Sequence, residues 1–269
     1  MTVSPHALDA AVALTPAGAH RFTGHTHPAY SNMVGPFGGT IAATLLNGVL
    51  SHPERLGDPL SLTVHYAAPI TDGAFEVHAR PMRTNRSTQH WLVELRQGDA
   101  VAAFATVLTA VRRDTWSATD AVFPSVPSAE SLPRHPGVFR TEWPKAYDMR
   151  FTDGEQVLDN VVRDDAVTRV WLRDEPPRPL DFLALSAICD AFIPRVFVRR
   201  SRAVPAGTVT LTVYFHADAA LLAAQGTAHV LGCAKGLRYS QGFHDQTAEI
   251  WSAQGDLLAV GHQVVYFKE

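Results

Sequence analysis

The sequence predicts an α+β fold of two tandem units, each with one long apolar helix laid against an antiparallel sheet. The first observation is an internal repeat: LSLTVHYAAPI (60–70) is similar to VTLTVYFHADA (209–219), 149 residues later. The second is a further match between residues 94–111 and residues 249–267. Since an internal repeat decides the architecture, we expect each half of the chain to form one structural unit.

A helical pattern precedes the strands in each copy. Apolar and small residues recur at i, i+3, i+4, i+7 and i+8, which is the spacing of one face of an α-helix. In the first copy they are Phe37, Thr40, Ile41, Thr44, Leu45, Gly48 and Val49, and in the second Leu180, Leu183, Ala184, Ala187, Ile188, Ala191 and Phe192. The pattern predicts one long helix per unit. GPFGG (35–39) marks the start of the first, and PPRPLD (176–181) precedes the second.

The segments after each helix have the pattern of β-hairpins. They are rich in Val, Thr, Leu and aromatic residues, and Gly-containing turns at 71–73, 97–99 and 254–256 separate them. Successive hairpins favour an antiparallel sheet. A single sheet covered by one apolar helix is a two-layer α+β arrangement.

The connection between the two units is rich in proline. FPSVPSAESLPRHPG (123–137) is typical of an extended surface segment rather than of a helix or strand. Thr168, Val170 and Leu172 then alternate with polar or aromatic neighbours, as expected for a strand that leads into the second unit. We therefore predict a first unit over residues 15–112, a linker over 113–156 and a second unit over 157–269.

Composition excludes several classes of protein. The net charge is −3, whereas non-specific electrostatic binding of nucleic acid needs a strong excess of positive charge. The two cysteines, Cys189 and Cys233, exclude a disulfide scaffold and a Cys-rich zinc site. The uncharged apolar stretches, such as 40–50 and 101–111, are too short to span a bilayer, and residues 1–16 lack a signal-peptide pattern. We expect a cytoplasmic protein without a membrane or nucleic-acid partner.

Common catalytic and cofactor motifs are missing from the sequence. It has no Gly-x-Ser-x-Gly elbow, Walker loop, Gly-x-Gly-x-x-Gly or Cys-x-x-Cys. His25 and His27 have the spacing of two metal ligands, but no third ligand is predictable nearby. We therefore expect neither a metal nor a cofactor.

Three segments carry a resemblance to a known family. GPFGG (35–39), LDFLALSAICDAF (180–192) and the final strand LLAVGHQVVYF (257–267), together with the tandem helix-and-sheet pattern, resemble the acyl-CoA thioesterase II-like family over about residues 15–268. The resemblance implies a double hotdog fold, in which each of two fused units wraps an antiparallel sheet around a long helix. It also implies hydrolysis of a fatty acyl-CoA and assembly into a homodimer or a larger homo-oligomer.

The resemblance further implies a site in the second unit that holds the attacking water. The family's Asp, Thr and Gln fall on Asp190, Thr208 and Gln263, with Thr210 as the alternative register for the threonine. The residues themselves leave other interpretations open. Asp190 lies at the margin of its helix's apolar stripe, where a solvated carboxylate is also expected. Thr208 alone indicates only a half-buried strand.

Gln263 has the clearest sequence signal of the three. It alternates with Leu257, Ala259, Gly261, Val265 and Phe267, so its amide is expected to point into the interior. A buried amide needs hydrogen-bond partners. A water and a nearby carboxylate would supply them, and the backbone of a neighbouring strand is the alternative.

The repeat also predicts which unit is catalytic. At the offsets between the copies, Asn47 replaces Asp190, Pro59 replaces Thr208 and Thr106 replaces Gln263. Because an asparagine is no general base, we expect the first unit to be catalytically silent. Its contribution would be Gly38 and Gly39, whose N–H groups at a helix N-terminus suit a developing oxyanion. The alternative is that these glycines only allow close packing.

Two arginines complete the predicted site. Arg199 and Arg200 lie in the predicted loop between Asp190 and Thr208, where they would contact the phosphates of coenzyme A. A solvated loop is the alternative.

Two other functions stay open: an enoyl-CoA hydratase, disfavoured because neither predicted helix offers a histidine, and a non-catalytic acyl-CoA binding module.

Overall fold

The computed structural model describes residues 5–136, 141–155 and 158–269, and its framework is one large antiparallel sheet. The strands are β1 (Thr15–Pro16), β2 (Arg21–His25), β3 (Asp58–Tyr66), β4 (Ala74–Thr84), β5 (Thr88–Gln97), β6 (Ala100–Ala110), β7 (Tyr147–Asp153), β8 (Thr168–Asp174), β9 (Ala206–Phe215), β10 (Val230–Lys235), β11 (Tyr239–Ser240), β12 (Phe243–Trp251) and β13 (Leu257–Phe267). The helices are α1 (Ala7–Ala11), α2 (Gly38–Leu50), α3 (Phe182–Ile188), α4 (Arg195–Arg200) and α5 (Ala219–Gln225).

The sheet repeats one topology on either side of a central junction. Its order is β1-β2-β4-β5-β6-β3-β9-β13-β12-β10-β8-β7. From the centre outward, each half begins with the first strand after its long helix, continues with the last strand of its unit, and then takes the earlier strands in reverse order. At the junction β3 pairs with β9, and Thr63 Oγ1 lies 3.1 Å from Thr212 Oγ1, across a separation of 149 residues. This separation equals the repeat offset. The structure thus confirms the predicted α+β double hotdog fold.

The first predicted helix forms as expected, with α2 covering the sheet of its own unit. Nearly all of its residues are buried, including Ala42, Ala43, Leu45 and Leu46, which are fully inaccessible. A helix that is apolar on almost every side has to be surrounded, and α2 packs against β3 to β6 and also against α3. This helix-to-helix contact brings the two units together at the N-terminus of α2.

The second helix is shorter than predicted. The periodicity extends from Leu180 to Phe192, but α3 ends at Ile188 and the chain continues in tight turns. The Asp190 N–H donates to the carbonyl of Ala187 rather than to that of Ser186, which tightens the last turn. Pro194 then caps the new helix α4, because its ring disfavours a helical residue before it. Asp190 therefore lies just after the helix, not on it.

The proline-rich connection covers the outer face of the second half of the sheet. Phe123, Val126 and Leu132 pack on a small cluster that includes Trp171 and Trp251. The Trp171 indole N–H donates to the carbonyl of Pro127 at 2.9 Å. Within the same stretch, Tyr147–Asp153 forms β7 and pairs with β8. The domain limits at 112 and 157 stay a prediction.

No helix in the described part of the chain is both long and apolar enough to cross a membrane.

Candidate active site

Asp190 lies where the end of α3 meets the start of α2. Only 7% of the surface of Asp190 is exposed. The Gln263 side-chain N–H donates to Asp190 Oδ1 at 2.8 Å, and the backbone N–H of Gly39 also hydrogen-bonds the carboxylate. The sequence pattern places Asp190 at the margin of a helix's apolar stripe, but the shortened helix turns its side chain into the interior.

The buried position changes the acidity of Asp190. Burial raises its pKa from 3.8 to about 7, while the hydrogen bonds from Gln263 and Gly39 lower the pKa and limit the rise. A carboxyl group whose pKa lies near neutrality is suited to accept a proton in one step and release it in the next. Asp190 thus has the environment of a general base.

Gln263 connects the carboxylate to the central sheet. It lies on β13 with 6% of its surface exposed, whereas its neighbours His262 and Val264 face solvent. This confirms the inward orientation that the alternation predicts. Its side-chain N–H also lies 3.4 Å from the carbonyl of Cys189, so the amide is held at two points beside Asp190.

A β-bulge decides which threonine reaches Gln263. Thr210 faces Val264 and Thr208 faces Val265, the next residue on β13, so Val209 is the extra residue of the bulge. A bulge shifts the alternation of faces by one residue. Thr208 therefore shares the interior face of Val265, and its hydroxyl lies 3.4 Å from Gln263 Oε1. On a regular strand Thr208 and Thr210 would share one face, but the bulge places them on opposite faces.

The two glycines at the start of α2 allow backbone and carboxylate to approach closely. A Cβ on Gly38 would lie 2.6 Å from Asp190 Oδ2, and a Cβ on Gly39 would lie 2.5 Å from the carbonyl oxygen of Ala187. Neither position accommodates a side chain without movement. The Gly39 N–H hydrogen-bonds Asp190. Of the two N–H groups predicted to bind an oxyanion, only that of Gly38 is not engaged by the carboxylate.

Two tyrosines near Asp190 were missed by sequence reasoning. The Tyr66 hydroxyl donates to the carbonyl of Gly38 at 2.8 Å. Burial and the charge of Asp190 together raise the pKa of Tyr66 well above its usual range, and burial, followed by the charges of nearby acidic groups including Asp190, does the same for Tyr147. One signal was available: Tyr66 aligns with Phe215 in the repeat, so the two copies differ there by a hydroxyl.

Arg199 and Arg200 are not part of this cluster. They lie in the short helix α4 rather than in a loop, and Arg200 pairs with Glu269. Among the described residues, no recorded hydrogen bond or ion pair joins either arginine to Asp190, Thr208 or Gln263. The reason is that α4 packs against β12, with Arg195 fully buried and bonded to Gln246 at 2.9 Å.

The first unit has no equivalent site. Leu62 on β3 faces Val107, just as Leu211 on β9 faces Gln263, so Val107 and not Thr106 is the structural counterpart of the glutamine. The sequence offset was one residue off because the two hairpins have loops of different length, 98–99 and 252–256. An apolar, buried valine cannot orient a water.

Asn47, the counterpart of Asp190, has a structural role. Its side-chain N–H donates to the carbonyl of Val12 at 2.7 Å, which holds the segment after α1 against α2. In the described residues, no group of three or more His, Cys, Asp or Glu side chains is arranged to hold a metal ion.

Two helix-on-sheet units joined edge to edge in one chain define a double hotdog protein, here with the buried carboxylate of Asp190 where α2 meets the end of α3. Residues 27–111 match the family model of the acyl-CoA thioesterase N-terminal domain, and residues 123–267 match that of the C-terminal domain. The chain belongs to the acyl-CoA thioesterase family, which supports a thioesterase activity.

Solved structures agree with this fold. A hotdog-fold protein of unknown function from Alicyclobacillus acidocaldarius is 48% identical, with a TM-score of 0.95 over 99% of both chains. The tesB protein of Mycobacterium avium subsp. paratuberculosis is 18% identical, with a TM-score of 0.80 over 97% of this chain and 98% of its own. The acyl-CoA thioesterase II TesB2 from Mycobacterium marinum is 15% identical, with a TM-score of 0.76 over the same shares. No curated protein matches the chain.

Proposed function

We propose that the protein hydrolyses a fatty acyl-CoA to the free acid and coenzyme A, with Asp190 as the general base that activates water. The observation that carries the proposal is the hydrogen-bonded chain from Thr208 through Gln263 to a buried carboxylate whose pKa is about 7. This chain ends at the N-terminus of α2, where the N–H of Gly38 is available to a substrate.

The reaction follows from these positions. A water held by Thr208 and Gln263 attacks the thioester carbon while Asp190 takes one of its protons. The carbonyl oxygen becomes an oxyanion, which the Gly38 N–H and the positive end of α2 stabilise. The C–S bond then breaks and coenzyme A leaves as a thiolate, which the proton carried by Asp190 can neutralise. Tyr66 fixes the backbone of Gly38 in this arrangement.

An assay of thiol release across acyl-CoA chain lengths tests the function directly. Hydrolysis releases one free thiol per acid formed. Loss of enoyl absorbance without a thiol would instead show a hydratase, and tight binding without turnover a binding module; either outcome would refute the proposal. The homo-oligomer implied by the family resemblance stays a prediction, to be checked by the mass of the protein in solution.

The bulge in β9 predicts a difference between two neighbouring threonines. Thr208→Val removes the hydroxyl that approaches Gln263, so we expect kcat to fall about tenfold, the cost of about one neutral hydrogen bond. Thr210→Val changes the same atoms on the opposite face and should stay within about twofold. Steady-state kinetics of both variants measures the difference, and equal losses would place the water elsewhere.

A further inference from the structure

A surface cavity lies beside the proposed active site and has no assigned role. Its volume is about 380 Å³, within the range of small-molecule sites. The lining residues include Arg134, His135, Pro144, Lys145, Tyr147 and Met149. They come from the connection between the two units and the start of β7.

The described lining of this cavity is basic. Arg134 and Lys145 are its cationic side chains, His135 adds an imidazole, and no carboxylate is among the described lining residues. Their acidic partners lie outside the lining: Lys145 pairs with Glu142 at 2.6 Å, and His135 with Glu155 at 3.1 Å. Both of these acids are about half exposed.

Arg134 is also only loosely paired. It lies 3.8 Å from Asp148 and 3.5 Å from Glu175, and half of its side chain is exposed. The partly exposed pair with Glu175 contributes little, and the buried Asp148 keeps Arg150 at 3.0 Å, so a bound anion can replace the contacts of Arg134 at low cost. Phosphate oxygens are the matching ligand, since arginine and lysine both bind them through charge-assisted hydrogen bonds.

The cavity is physically linked to the start of α2. Lys145 belongs to the turn Trp143–Ala146, and the Trp143 ring stacks on Phe37 with centroids 4.3 Å apart and planes within 6°. Phe37 is the residue immediately before Gly38. Tyr147 directly follows this turn and lines the cavity, and the charge of Asp190 contributes to raising its pKa. The turn that lines the cavity is therefore connected through one stacked pair of rings to the residue before Gly38.

We propose that this basic cavity binds the phosphate-bearing nucleotide end of the coenzyme A thioester. The inference rests on the proposed function and replaces the assignment of the phosphates to Arg199 and Arg200. The thioester would lie at the N-terminus of α2, with the pantetheine arm passing the Trp143–Phe37 stack. The connection between the units would thus be part of the substrate site.

The test combines substrate truncation with a charge-removing double variant. Arg134→Gln with Lys145→Gln should raise KM for acyl-CoA at least tenfold. It should leave kcat/KM unchanged for the corresponding acyl-N-acetylcysteamine, which lacks the nucleotide. The matched control is Arg80→Gln with Arg86→Gln, which removes two exposed arginines from the first unit and should leave both substrates unaffected. An equal loss on both substrates would overturn the proposal.

A binding experiment separates this proposal from the proposed function. Calorimetric titration with adenosine 3′,5′-bisphosphate needs no turnover, and we expect the double variant to bind it at least tenfold more weakly than the parent. Unchanged binding would refute the cavity assignment even if hydrolysis is observed. Failure of hydrolysis with the expected loss of binding would refute only the reaction. A loss confined to Arg199→Gln with Arg200→Gln would return the phosphates to α4.

Discussion

Replacing Asp190 with asparagine is expected to lower kcat for thioester hydrolysis by about 10² to 10⁴, the contribution typical of a positioned general base. The asparagine has nearly the same shape, and its side-chain oxygen can still accept from Gln263, but its NH2 group cannot serve as a base. In the parent, kcat/KM should rise with pH through an apparent pKa near 7, because only the ionised carboxylate accepts the proton. Thiol release from pH 5 to pH 9 measures both effects.

The same substitution should make the protein more stable at neutral and alkaline pH. The pKa of Asp190 is about 7 in the folded state against 3.8 unfolded, so the folded protein retains a proton that the unfolded chain has released. The free energy of unfolding of the parent therefore falls as pH rises from about 4 to 7 and then levels off. Asp190→Asn removes this loss, which amounts to up to about 4 kcal/mol at pH 8.

The control is Asp218→Asn, which makes the same chemical change at the exposed N-cap of α5. Since asparagine caps helices as well as aspartate, neither activity nor its pH profile should change. Thermal unfolding of the three proteins at pH 5 and pH 8 gives the comparison. If Asp190→Asn and the parent differ in stability by the same amount at both pH values, the carboxylate is not buried as described.

Substitutions at the two glycines of α2 are expected to separate activity from stability. In Gly38→Ala the new methyl group would lie 2.6 Å from Asp190 Oδ2, so the carboxylate has to move while the backbone stays. A displacement of about 1 Å in a catalytic group costs about 10² in rate. We expect this loss in kcat/KM with little change in the melting temperature.

Gly39→Ala is expected to damage the fold as well as the site. Its methyl group would lie 2.4 Å from the Phe37 ring and 2.5 Å from the Ala187 carbonyl oxygen, which belongs to the backbone of α3. The two helices have to separate, at a cost of about 1–3 kcal/mol. Calorimetry and the thiol assay on both variants test the contrast. A Gly38→Ala protein with parental activity would exclude Asp190 as the base.

The division into two similar helix-on-sheet units could be predicted because the sequence contains the same pattern twice. The match between residues 60–70 and 209–219 fixed the repeat offset, and the structure pairs Thr63 with Thr212 at that offset. Periodicity also predicted the helix that α2 forms and the inward side of Gln263. These features depend on local patterns of apolar residues, which alternate with the period of the element itself.

The geometry of the candidate site could not be predicted in the same way. Apolar spacing continues to Phe192, but the residues after Ile188 are buried whether or not they are helical, so periodicity does not show where α3 ends. The bulge at Val209 cannot be recognised from the residue pattern of β9, although it moves Thr208 to the opposite face of the strand. Resemblance, not periodicity, identified the residues that the structure then brings together.

The sequence by itself determined two helix-on-sheet units, the family, and an asymmetry between the copies at Asp190 and Asn47. Only the tertiary structure decided that Asp190 is buried, that the N–H of Gly39 meets it, and that Thr208 instead of Thr210 reaches Gln263. The physical reason is that secondary structure follows from neighbours along the chain. The acidity of a carboxyl group depends instead on how much water and which hydrogen-bond donors surround it, and those come from α2, α3 and β13 together.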